Sequence, residues 1–165
     1  MAKIIVLGAM KGGVGKSVST YNLAYSLNKL GKKVLVADFD SSANIIRCVI
    51  EDIKTVEISI GDLMMNQMDE EEQEQPNPAE YIINRNGVEF IPSSKVLSAV
   101  DAKLRLEMGA EKILAYILES LREEYDYILI DISMICMRRA EMMIVSMHRL
   151  RHRKILTDFN FEKAP

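Results

Sequence analysis

The chain has 165 residues, 48% hydrophobic and 27% charged, which is the balance of an ordinary soluble domain with a core of its own. No apolar run approaches bilayer-spanning length, and the opening MAKIIVLGAM is too short an apolar run for a secretory leader. The two cysteines, Cys48 and Cys136, form no metal or disulfide pattern, so reduced thiols in the cytoplasm are expected, and the net charge is −3.

KIIVLG (3–8) reads as a buried strand. The spacing of Leu23, Ala24, Leu27 and Leu30 predicts a helix over about 16–30 with these residues on one face, stopped by Gly31. KVLVADFD (33–40) reads as a second buried strand ending in two aspartates. Strand, glycine loop, helix and strand make a βαβ unit, whose two strands run parallel. DLMMNQMDEEEQEQPNP (62–78) begins helical and passes into an acidic loop, where Asp69 to Glu74 read as a solvated surface. VEFIPSS (88–94) is a third strand, with Asn86-Gly87 as a turn before it. Helices are expected near 95–106 and 109–123, the second with an apolar stripe of Ile113, Leu114, Ile117, Leu118 and Leu121. YDYILID (125–131) is a fourth strand, apolar until Asp131. Strands alternating with helices predict an α/β fold, a mainly parallel sheet covered on both faces.

GAMKGGVGKSVST (8–20) sits between the first strand and the first helix. Gly12, Gly13 and Gly15 let the backbone curl with its N–H groups inward, and the helix start adds a positive end. Lys16 is placed to reach β- and γ-phosphates and the Ser17 hydroxyl to meet Mg²⁺. The common loop G-x-x-x-x-G-K-[ST] is not met, because Met10 stands where its first glycine belongs.

KGGVGKS resembles the deviant phosphate loop of the ParA/MinD family of P-loop ATPases. VLVADFDSSAN is similar to that family's second strand and first switch, and EYDYILID to its Walker B strand. The likeness runs in order from residue 1 to about 131 and is nearest to ParA-type partition ATPases. The resemblance implies a P-loop fold and contacts to ATP along Lys11, Gly12, Gly13, Val14, Gly15, Lys16, Ser17 and Val18. It implies a homodimer formed on ATP, in which Lys11 reaches across to the partner's phosphates as an arginine finger does. It further implies that Asp40 orients or polarises the attacking water, that Ser17 and Asp131 hold Mg²⁺, and that Asp38 supports the magnesium shell. Slow ATP hydrolysis, nonspecific DNA and a ParB-like partner belong to the same expectation.

Two stretches depart from the family pattern. Ser41-Ser42-Ala43 stand where Pro-Gln-Gly is usual, while Asn44 still fits. After Asp131 the sequence reads ISMICMRRAEMM without the Pro-containing second switch that the resemblance implies, and the family's later segments, which supply the adenine pocket and DNA-contacting basic residues, are expected to be absent. Residues 1–131 hold 14 Lys/Arg against 21 Asp/Glu, net −7, whereas 132–165 hold 7 against 3, net +4, and five methionines. An ATPase domain over 1–131 is therefore expected, followed by a divergent basic tail over 132–165. A shifted reading frame and a natural minimal variant both account for that tail. MRRAEMMIVSMHRLRHRK reads either as a helix covering the sheet, as a membrane-surface helix of MinD type, or as a phosphate contact for nucleic acid. Two further functional readings stand beside the partition ATPase: a nucleotide-binding module that neither hydrolyses ATP nor binds DNA, and a MinD-like membrane-associated ATPase.

Overall fold

The computed structural model describes residues 1–9, 13–68, 76–104 and 111–132. Lys11, Gly12, the acidic run from Asp69 and the tail from residue 133 lie outside the described residues.

Among the described residues five strands form one sheet: β1 (Lys3–Gly8), β2 (Val34–Phe39), β3 (Ile83–Arg85), β4 (Val88–Ile91) and β5 (Tyr127–Ile132). Their order is β1-β5-β2-β4-β3, and every neighbouring pair is parallel except β3 with β4. β5 inserts between β1 and β2, so the carboxyl ends of β1, β5 and β2 meet side by side. In open parallel sheets, crevices at such ends are where ligands bind.

Period-two alternation divides each strand between two apolar layers. Leu35, Ala37 and Phe39 of β2 and Ile128, Ile130 and Ile132 of β5 pack with α3 (Ile60–Met68), α5 (Val96–Leu104) and α6 (Glu111–Leu121). Val34 and Val36 of β2, Val88 and Phe90 of β4 and Leu129 of β5 pack with α1 (Lys16–Lys29) and the short α2 (Ile46–Val49). A further single turn, α4 (Pro78–Tyr81), is capped by the Asn77 side chain.

Helix α1 ends as its sequence predicts. Gly31 has φ +74, its N–H donates to Asn28 O, and the Lys32 N–H donates to Leu27 O. These two bonds close a left-handed terminus that only glycine adopts without cost. The stripe expected on α1 is corrected at one position: Ala24 is buried and Leu23 and Leu27 pack partly, but Leu30 is 75% exposed. Leu30 is the residue at the end of the helix, where the chain already turns away from the sheet.

Two other expectations are corrected. KIIVLG is not fully buried: Ile4, Ile5, Val6 and Leu7 are half-buried because β1 stands at one end of the sheet order, paired only with β5 among the described residues. Asn86-Gly87 is the turn of a β3–β4 hairpin, which adds a strand to the four expected. That hairpin is tied to α1 by Tyr25 Oη donating to Arg85 O at 2.9 Å and Asn28 Nδ2 donating to Gly87 O at 2.8 Å.

Candidate nucleotide site

The α1 layer of the sheet is apolar until the strands end. Continuing the alternation, Asp38 follows Val34 and Val36 on that face of β2, and Asp131 follows Leu129 on β5. The parallel register sets Asp38 and Asp131 directly opposite one another, with Leu7 of β1 on the other side of Asp131. Two carboxylates thus lie beside each other under the first turn of α1.

Gly13 and Gly15 hold φ of +78 and +83, backbone that an L side chain adopts only under strain, and Gly15 starts α1. Among the described residues no side chain caps this helix, and no acidic residue occupies its first turn. Its leading N–H groups and positive end are therefore open to an anion.

From that turn Lys16 brings its ammonium to 2.7 Å from Asp131 Oδ2 and 3.4 Å from Asp40 Oδ2. Lys16 is 13% exposed and Asp131 fully buried, so the pair is screened little by solvent. The Ser17 hydroxyl donates to Asp131 Oδ2 at 2.7 Å. Thr20, one turn on and fully buried, lies 3.0 Å from Asp131 Oδ1 and 3.1 Å from Lys16 O. Its one hydroxyl proton serves either acceptor. Asp131 is thereby held from both oxygens by three α1 residues.

Asp38 is buried, and its carboxylate accepts the Asp40 N–H at 3.2 Å and the Ile46 N–H at 3.4 Å. Burial first, and the neighbouring Asp131 second, push its pKa up to about 7. Asp40 goes the other way. Burial pushes it upward, but the Ser42 hydroxyl and amide and the Lys16 ammonium outweigh that and leave it below the usual carboxylate value.

Of the residues expected at the site, the structure brings Lys16, Ser17, Asp38, Asp40 and Asp131 together around the start of α1. Gly13, Val14 and Gly15 form the turn leading into it, with Val14 exposed; Val18 is exposed on α1. Lys11 and Gly12 lie outside the described residues. Thr20 and Ser42 were missed. Thr20 was within reach of sequence reasoning, since it sits four residues after Lys16 and so on the same helix face. Ser42 carried no such signal, because its contact with Asp40 depends on the turn between them.

Comparison with known proteins fixes the family. A family model described as an AAA domain matches residues 2–147, which carries the match past Asp131. The sporulation initiation inhibitor protein Soj of Bacillus subtilis is 30% identical over 131 residues, 79% of this chain and 49% of its own length. A putative plasmid partition protein of Borrelia burgdorferi B31, solved with AMPPNP bound, superposes with a TM-score of 0.70 at 29% identity, covering 87% of this chain and 58% of that one. The ParA of pNOB8, solved bound to nonspecific DNA, matches with a TM-score of 0.61 at 29% identity over 81% of this chain and 47% of its own. The chain belongs to the ParA/MinD family of P-loop ATPases. It spans about half the length of the curated relatives it matches.

The donor set fits the family's ligands. Asp40 and Asp131 are buried on either side of the Lys16 ammonium, so two carboxylates meet one cation among the described residues. Ser17 Oγ and Asp131 Oδ2 are hard oxygen donors, of the kind Mg²⁺ takes beside phosphate and water.

Proposed function

We propose that this chain binds Mg-ATP at the start of α1, dimerises on it and hydrolyses it slowly, as a ParA-like ATPase of plasmid or chromosome partitioning. The observation that carries the reading is the uncapped N-terminus of α1 with Lys16 and Ser17 set against Asp131 and Asp40. The backbone from Gly12 to Val18 would cradle the phosphates, and Lys16 would neutralise the β- and γ-oxygens. Ser17 and Asp131 would hold Mg²⁺, with Asp38 behind them. The ion supplies charge neutralisation at the phosphates when bound. Asp40, kept ionised by Ser42 and Lys16, would orient the attacking water. Lys11 would reach the phosphates of a second copy, so that nucleotide stabilises the dimer by linkage. Nonspecific DNA and a ParB-like protein are the partners this reading implies, in the cytoplasm. No helix among the described residues is long and apolar enough to cross a membrane.

Calorimetry with Mg-ATP on the wild type and on Lys16→Ala tests the reading. Loss of the Lys16 ammonium is expected to weaken binding by about a hundredfold, a charge-assisted contact of roughly 3 kcal/mol. A folded wild-type chain that binds no nucleotide would defeat it. The departure at Ser41-Ser42-Ala43, beside Asp40, favours a second reading, a nucleotide-binding module without turnover. Turnover measured beside binding separates the two.

A further inference from the structure

We propose that Ser42 is a positioning residue for Asp40, fixing which of its two carboxylate oxygens faces the reaction. This rests on the reading of Asp40 as the group that orients the attacking water. Asp40 Oδ1 accepts two hydrogen bonds from this one residue, the Ser42 N–H at 3.0 Å and the Ser42 hydroxyl at 2.5 Å. Asp40 Oδ2 is left to Lys16, whose ammonium is 3.4 Å away. A free carboxylate exchanges its oxygens by rotation, and two donors on Oδ1 oppose that exchange.

The clamp stands on a firm base. The Ala43 N–H donates to Asp40 O at 2.8 Å and closes the turn that carries Ser42. Ala43 itself is buried in the apolar layer under α1, and its carbonyl accepts the Arg47 N–H at 3.1 Å. Arg47 Nε donates to Ser42 O at 3.4 Å, so two successive carbonyls at the end of the turn are tied to Arg47 of α2. Ser42 is one of the positions where this chain departs from the family pattern, with a short hydroxyl in place of the usual glutamine. The departure therefore carries a function of its own: the carboxylate is oriented from within its own turn.

The test combines Ser42→Ala and Ser42→Thr with Asp40→Asn, reading Mg-ATP affinity by calorimetry and kcat and KM by phosphate release. Ser42→Ala is expected to lower kcat roughly ten- to a hundredfold, as misplacing an orienting group does, with KM and affinity changed less than about threefold. Ser42→Thr keeps the hydroxyl and is expected to hold kcat within about threefold of wild type. In the Asp40→Asn background, Ser42→Ala is expected to add nothing, because a residue that acts through Asp40 loses its effect with it. Unchanged kcat in Ser42→Ala, an equal loss in Ser42→Thr, or additive losses with Asp40→Asn would each overturn the proposal. A wild type that binds nucleotide but never turns it over also overturns it, while leaving the nucleotide site intact. A wild type that binds nothing removes both.

Discussion

The two faces of the sheet are built from the same strands and end differently. On the α3/α5/α6 face, β2 and β5 stay apolar to their last residues, Phe39 and Ile132. On the α1 face the same strands close with Asp38 and Asp131, and α1 meets them with Lys16, Ser17 and Thr20. On one face the strands thus stay apolar to their ends, and on the other they convert to charge within one residue of leaving the core. The lesson is that a period-two strand lets one layer hold the fold while its neighbour, one residue away, carries buried ionisable groups.

If the α1 face carries a cost of charge, that cost must show in pH dependence. Asp38 has an ordinary value of 3.8 in the unfolded chain and about 7 in the folded one. The folded state therefore binds the extra proton, and its contribution is complete below about pH 4 and lost as pH rises through 7. The scale is up to about 4 kcal/mol, from roughly three units at 1.36 kcal/mol each. Denaturant melts in metal-free buffer at pH 5 and pH 8 should show wild type losing stability at the higher pH, and Asp38→Asn losing much less. Parallel pH profiles for the two chains would mean that Asp38 is ionised at little cost and that the two faces do not differ in this way.

The opposite face should fail through packing instead. A Cβ on Gly61, in the first turn of α3, would lie 2.8 Å from Leu97 N and 3.2 Å from Leu97 Cα. Both are backbone atoms of α5, so no flexible side chain can yield. Alanine would gain about 1 kcal/mol of helix propensity over glycine, but forcing the two helices apart outweighs it. Gly61→Ala is expected to destabilise by about 1–3 kcal/mol, independent of pH between 5 and 8. A stabilised variant would show that α3 and α5 slide freely and that the apolar face is less tightly specified than the charged one.

Much of this division was legible in the sequence. Uninterrupted apolar runs marked β1, β2 and β5, and the aspartates closing β2 and β5 stood out because they broke those runs. Gly15-Lys16-Ser17 between strand and helix located the start of α1. What escaped depended on contacts distant in sequence. β3 is three residues long and is steadied by Tyr25 and Asn28 of α1, some sixty positions away. Ile46–Val49 is a single turn whose first N–H is taken by Asp38, eight residues upstream, and no periodicity shows in four residues. Leu30 fits the apolar spacing of α1 yet points to solvent, because spacing cannot say where the helix leaves the sheet.

The smallest effect is expected in the turn after β2, where the two requirements meet. Ala43 has φ +52, a left-handed conformation that costs an L residue roughly 1–2 kcal/mol. Glycine, the residue usual at this position in the family, would relieve that cost. It would also lose about 0.5–1 kcal/mol to the freer unfolded chain and about 0.8 kcal/mol for the buried methyl group. These terms nearly cancel, so Ala43→Gly should change stability by less than about 0.5 kcal/mol in denaturant melts. A clear loss would assign Ala43 to the apolar layer, its methyl group outweighing its backbone. A clear gain would mean that this chain bears strain next to Asp40 that its apolar layer does not offset. The charged face would then carry a conformational cost besides the electrostatic one at Asp38.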